Sequence, residues 1–325
     1  MDSKIDLNLI KEYNFIKNLR KKRKKKFKFS KKKKKLYISI FLSIFILLLI
    51  LLFILFKSFF SKRKTTLYLQ DDLTLVSAYY RIKSKHKYSE YINWMSNLVL
   101  LNKSFVFYTN KKFMPILKEM RPKELHYKTV FIELEMEEFY TYKNFYNEFN
   151  KSFYIDKENS YHTVPLYIIW AEKCKFLEKA IINNYFNSKC FYWIDAGIFR
   201  EPQREMSKYI NTWPTTKKCF EDPRLVMGQV TYYSDEEKQR IINLDRKAIQ
   251  KLINNYNVDG SMFGGQRINT LKFINFYYDA LRLFIKNNIF IGKDQNIFTF
   301  VAFSHPQEIN LILCKNYFES KKYLA

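Results

Sequence analysis

The spacing of apolar residues changes period several times along the chain. The 21 residues from Leu36 to Phe56 contain no charge, proline or glycine. At ~1.5 Å per residue that length matches the hydrocarbon core of a bilayer. Its apolar side chains fall all round a helix, which predicts a membrane span rather than an amphipathic core helix. Further on, Leu73–Tyr80, Phe105–Thr109, Thr129–Leu134, Cys190–Ile194 and Leu225–Tyr232 are short runs rich in β-branched and aromatic residues, which predict strands. Helical spacing fills the gaps between them. Tyr91, Trp94, Leu98 and Leu101 share one face, as do Phe139, Tyr142, Phe145 and Phe149. Val164–Asn183 reads as a longer helix with Pro165 in its first turn. Ser234-Asp-Glu-Glu237 is a capping box that opens a helix to about Asn254. Thr270–Lys286 and the apolar Ile297–Phe303 follow.

Strands that alternate with helices predict a single α/β domain with a mostly parallel sheet wrapped by helices. The expected organisation is a basic tail over 1–35, a transmembrane helix over 36–56, a stalk over 57–72 and the α/β domain over 73–325. In such sheets ligands bind beyond the carboxyl ends of the strands.

Charge sharpens this picture. Residues 1–35 carry 16 Lys/Arg and 3 Asp/Glu, half of the net +26 of the 325-residue chain. A basic cluster directly before an apolar span keeps the N-terminus cytoplasmic and favours contact with anionic membrane lipid. The expected topology is therefore single-pass type II, with the domain in the Golgi or ER lumen of a eukaryote or in the cell envelope of a bacterium. No zinc-finger spacing or RNP-like aromatic motif accompanies the basic run, so a nucleic-acid partner is not expected. On the far side of a membrane Cys174, Cys190, Cys219 and Cys314 can form disulfides, and four cysteines allow three full pairings. HExxH, CxxC and GxSxG are all absent, which argues against a zinc site of those kinds and against an α/β-hydrolase.

Only six glycines occur, at 197, 228, 260, 264, 265 and 292. Glycine belongs where backbone turns sharply or is approached closely, and three clusters follow from their placement. In Phe191-Tyr-Trp-Ile-Asp195-Ala-Gly197-Ile-Phe-Arg200 an apolar strand runs into a carboxylate. That suits a cation with phosphate or, equally, an Asp that serves a turn. Val258–Gly265, with Asp259, Gly260, Gly264 and Gly265, reads as a turn whose backbone a polar ligand could approach. Gly292-Lys-Asp294-Gln295 opens a helix, where the acid either caps the helix or meets a hydroxylated ligand. His305, close after Asp294, is a further candidate metal ligand.

At these clusters the chain resembles the HtrL/YibB family, whose members look like GT-A-type glycosyltransferases. Tyr192–Arg200 carries the resemblance most specifically. It is joined in order by Thr74–Tyr80, Phe107–Asn110, Tyr167–Lys173, Asp259–Gly265 and Gly292–Gln295. The resemblance implies a GT-A-like, Rossmann-like domain that moves sugar from a nucleotide-sugar donor to a glycan or glycoconjugate acceptor. It implies a divalent metal, Mn2+ or Mg2+, at Asp195. In the GT-A signature a second acid follows two positions later, where this chain has Gly197, so one ligand is missing. Asp294 is the implied catalytic carboxylate together with Asp195, and Gln295 lies beside it near donor or acceptor. Tyr79 and Arg81 are placed at the nucleoside, Lys173 and Arg200 at the diphosphate, and Asp259-Gly260 along the donor sugar. The missing acid motivates a rival expectation: a catalytically silent, membrane-tethered binding protein on the same fold.

Overall fold

The computed structural model describes residues 71–325, together with Phe41, Leu42, Phe45 and Leu48. The chain divides into two units, 1–67 and 68–325. The four residues described in the first unit are helical and exposed. The rest of the expected span over 36–56 lies outside the described residues. Among the described residues no helix is long and apolar enough to cross a membrane.

The second unit is built on seven strands: β1 (Leu73–Tyr79), β2 (Ser104–Thr109), β3 (Thr129–Glu133), β4 (Cys190–Ile194), β5 (Leu225–Gln229), β6 (Val258–Gln266) and β7 (Ile309–Leu313). They form one sheet in the order β3-β2-β1-β4-β6-β5-β7. Every neighbouring pair is parallel except the two that include β6, which runs against both β4 and β5. The expected mostly parallel α/β sheet is present.

Alternation along the strands sends side chains to two apolar layers. Val76, Val106, Phe191 and Trp193 point to one face, while Leu75, Phe105, Tyr192 and Ile194 point to the other. The first face is covered by α3 (Tyr140–Ile155), α4 (Val164–Asn183), α8 (Arg267–Lys286) and α9 (Asp294–Ser304). The second is covered by α1 (Tyr88–Leu98), α2 (Met114–Met120), α5 (Lys217–Glu221) and the C-terminal segment to Leu324. A disulfide joins Cys190, at the start of β4, to Cys219 in α5, and Cys174 and Cys314 are buried free thiols. That leaves one bridge of the pairings open from sequence.

Several boundaries differ from the sequence expectation, each for a local reason. The expected turn over 258–265 is the strand β6, buried over all but its last residue. Gly264 has φ +153°, and a Cβ there would lie 2.1 Å from the Phe191 carbonyl oxygen and 2.6 Å from Tyr192 Cα. A Cβ on Gly265 would meet the Arg224 carbonyl oxygen at 2.9 Å. These glycines let β6 pass close to β4 and β5, so the glycine-rich composition marks packing within the sheet. β5 ends at Gln229, because the N–H groups of Val230 and Thr231 turn to the Asn257 carbonyl at 2.7 and 3.2 Å. The helix expected from 235 to about 254 is two, α6 (Asp235–Ile242) and α7 (Arg246–Asn254). Leu244 between them takes φ +55°, and the Asp245 carboxylate caps the second by accepting from the Ala248 N–H at 2.9 Å. β7 was not anticipated; it lies parallel to β5 at the sheet edge.

Candidate active site

The sheet reverses direction at β1. The chain first builds outward to β2 and β3, then returns to place β4 on the other side of β1. At such a switch point the loops leaving the two strands diverge and leave a crevice beyond their carboxyl ends. A cavity of about 390 Å³ lies there, between the segments that follow β1 (78–91) and β4 (193–200). One stripe of α4 forms a third wall, with Leu166, Ile169, Trp170 and Lys173 at the i, i+3, i+4, i+7 spacing of a single helix face. Phe318 of the C-terminal segment also lines it.

Asp195 is the first residue after β4, and its N–H donates to the Ser261 carbonyl at 2.8 Å. Its carboxylate is 30% exposed to the cavity. Oδ1 accepts from Trp193 Nε1 at 2.7 Å and lies 3.1 Å from Lys173 Nζ. Lys173 is buried in the middle of α4. Its ammonium also pairs with Asp294 Oδ2 at 3.0 Å and donates to the Gly260 carbonyl at 3.0 Å. Burial alone would lower the Lys173 pKa, but the two carboxylates outweigh it and hold the group above its ordinary value. Burial pushes the Asp294 carboxyl above its ordinary value, against the pull of Lys173.

Arg200 is held by stacking. Its guanidinium lies 4.0 Å from the Trp94 ring centroid and 4.2 Å from that of Phe318, and Nε donates to the Gly197 carbonyl at 3.1 Å. Burial lowers its pKa. Arg81 stacks on Tyr88 at 4.2 Å. Among the described residues no carboxylate pairs with Arg81, Lys83 or Arg200, all of which line the cavity. Burial raises the Tyr79 hydroxyl to about 12, so at neutral pH it remains a proton donor.

The structure thus brings Asp195, Lys173, Tyr79, Arg81, Gly197 and Arg200 to one cavity, with Gly260 and Asp294 immediately behind Lys173. The remaining candidates stand elsewhere. Asp259 is fully buried and accepts from the N–H groups of Ser261 (3.0 Å) and Phe318 (2.9 Å) and from Ser320 Oγ (2.6 Å). It fastens the C-terminal segment to β6 and has no free oxygen for a sugar. Gln295 Oε1 accepts from the Tyr317 hydroxyl. His305 ends α9, which Asp294 begins, and stacks on Phe276 with ring centroids 3.7 Å apart. The structure therefore does not bring His305 to Asp195. Sequence reasoning missed Trp170, Trp193, Lys83, His86 and Phe318 as lining residues. Trp193 was within reach, since i and i+2 on a strand share a face with Asp195.

A wider cleft of about 660 Å³ lies between the end of α3, α7 and the segment before α9. It is lined by Asp156 and Glu158, which with His162 form a group whose ligand atoms lie within 4.8 Å of one another. Those atoms are already engaged. Asp156 accepts from His162 Nδ1 at 2.7 Å, from the Tyr167 hydroxyl and from the Glu158 N–H at 2.9 Å, while Glu158 pairs with Lys293.

A family model for a bacterial protein of unknown function, HtrL_YibB, matches residues 71–324. The chain belongs to the HtrL_YibB family. The match covers the whole sheet and the cavity described above and stops short of the basic N-terminal region. Among curated proteins no sequence relative matches. Among solved structures the chain is similar to core-mannan synthase A from Aspergillus fumigatus in its Mn/GDP form. The identity is 12%, the TM-score is 0.42, and the similarity covers 75% of this chain and 73% of that one.

Proposed function

We propose that this family member is a glycosyltransferase on a GT-A-like domain, transferring a sugar from a nucleotide-sugar donor to a glycan or glycoconjugate acceptor. The observation that carries the reading is the cavity at the β1/β4 switch point, where Arg81, Lys83, Lys173 and Arg200 face a single carboxylate, Asp195. Transfer from a nucleotide sugar expels a diphosphate, so negative charge grows on the leaving oxygens. Fixed cations in a partly closed cavity stabilise that charge as it develops. Arg200, immobilised between two rings, suits that role as a donor, while Lys173, whose three N–H groups go to Asp195, Asp294 and the Gly260 carbonyl, contributes its charge. Tyr79, Tyr91 and Trp170 give flat walls for a nucleoside. The exposed edge of the Asp195 carboxylate accepts hydrogen bonds from sugar hydroxyls.

A divalent ion is the group such a fold implies, and the donors present do not fit it well. Among the described residues Asp195 is the only carboxylate that lines the cavity, and the Lys173 ammonium already stands 3.1 Å from it. A hard cation wants several oxygens and no like charge beside it.

Asp195→Asn keeps the shape and removes the charge. Full-length protein with this change is expected to lose release of free nucleotide from nucleotide-sugar donors while melting near the parent temperature. Activity that survives the change would remove Asp195 from the reaction. Specific nucleotide-sugar binding without any turnover would favour the silent binding protein.

We also propose that residues 36–56 anchor the chain with its N-terminus cytoplasmic. The basic flank and the Cys190–Cys219 bridge, a feature of oxidising compartments, support this. Protease added outside sealed membranes of the native orientation should cut only the exposed side. Digestion of the N-terminal tail from the face opposite the cytoplasm would reverse the assignment.

A further inference from the structure

The balance of charge in the cavity goes further than the reading above, on which it rests. Arg81, Lys83, Lys173 and Arg200 set against Asp195 leave the cavity lining with a net charge of +3, with His86 neutral. His86 is held neutral at physiological pH because burial, then the charge of Arg200, lowers its pKa. Asp294 behind Lys173 reduces the total to +2. The diphosphate bridge of a nucleotide sugar carries two negative charges. The protein therefore matches its ligand's charge from its own side chains.

The geometry agrees with the charge count. Both oxygens of Asp195 are engaged, Oδ1 by Trp193 and Lys173, and Oδ2 by Lys173 at 3.4 Å. The Lys173 ammonium holds the place beside the carboxylate that a metal ion would need. Gly197, where a second acid would complete a metal site, offers only its carbonyl, and that oxygen accepts from Arg200 Nε. Arg200 is built as an anion clamp. Two rings fix its plane, its Nε is spent on the backbone, and its terminal nitrogens have no carboxylate partner among the described residues. Planar guanidinium nitrogens in this setting grip phosphate oxygens bidentately.

We propose that this cavity binds the diphosphate of its ligand without a divalent metal, with Arg200 as the anion clamp and the Lys173 ammonium filling the place beside Asp195 that the ion would take.

The test is titration of the purified full-length protein with UDP, GDP and inorganic pyrophosphate, in EDTA and in excess Mn2+, followed by calorimetry and by melting temperature. The expected result is a dissociation constant for one nucleoside diphosphate that agrees within about twofold between the two conditions, the margin small against the tenfold that 1.4 kcal/mol represents. Arg200→Met should weaken it about tenfold, as for loss of a charged hydrogen bond. Asp195→Asn separates the two models most sharply. A metal ligand's loss weakens diphosphate binding, whereas loss of a negative charge from a metal-free cationic cavity leaves it unchanged or tightens it. Binding seen only with Mn2+, or lost in Asp195→Asn with Arg200→Met unaffected, overturns the inference and leaves the transferase reading standing. Absence of nucleoside diphosphate binding in both conditions defeats the transferase reading itself.

Discussion

Lys173 and Asp294 form a buried ion pair, 3.0 Å from Nζ to Oδ2, in which each side chain is less than a tenth exposed. The pair is coupled to the cavity through Asp195, 3.1 Å from the same ammonium. Removing one member leaves the other charged and dry. Lys173→Met is expected to destabilise the domain by about 3–5 kcal/mol, the usual cost of an uncompensated buried charge. Adding Asp294→Leu should restore much of that loss. A urea double-mutant cycle measures it, and additive effects would show that the two residues do not act as a pair.

The Asp156 carboxylate sets an acid limit on stability. Burial opposes its ionisation, but hydrogen bonds from Tyr167, the Glu158 N–H and His162 outweigh it and hold the pKa below the ordinary 3.8. A depressed carboxyl contributes stability that is complete above the ordinary value and is lost as pH falls through the folded one. The parent protein should therefore lose stability as pH drops below about 4, and Asp156→Asn should be less stable at neutral pH with a flatter acid limb. Denaturant midpoints between pH 3 and 7 decide this, and parallel curves for the two proteins would refute it.

Gly264 and Gly197 have different reasons for being glycine. A Cβ at 264 meets backbone at 2.1 Å in a region of φ that side chains avoid, whereas at 197 it meets the edge of Trp94 at 3.1 Å. Gly264→Ala is expected to cost about 3 kcal/mol or more, or to prevent folding, since backbone cannot be moved aside cheaply. Gly197→Ala is expected to fold and to disturb the cavity, because Trp94 is the ring on which Arg200 rests. Urea midpoints and ligand affinity distinguish the two, and equal stability losses would contradict the assignment.

The parts of the molecule legible in the sequence are those where local pattern and tertiary role coincide. β1 to β4 are apolar runs of the right length, fully buried in β1, β2 and β4 and half-buried in the edge strand β3, and their hydrophobicity announced them. Asp195 was legible because a carboxylate at the end of such a run is out of place unless something meets it. The same logic misled at Asp259. It too stands beside glycine, but what meets it is the chain's own C-terminal segment, some 60 residues on, which no local pattern reveals. β6 was hidden because its composition, Asp-Gly-Ser-Met-Phe-Gly-Gly, is that of a turn. Its strand character comes from close neighbours on both sides rather than from its own propensity. His305 follows the last residue of the helix that Asp294 begins, so nearness in sequence placed them at opposite ends of one element.

The cavity walls come from segments near 80, 170, 195 and 318, drawn from both ends and the middle of the domain. A half-assembled chain has no such cavity to offer. Any compound that fits it will bind only the finished molecule and, by mass action, draw marginal variants toward that state. Such a compound would rescue low-abundance variants in cells and serve as a reagent for counting correctly folded copies.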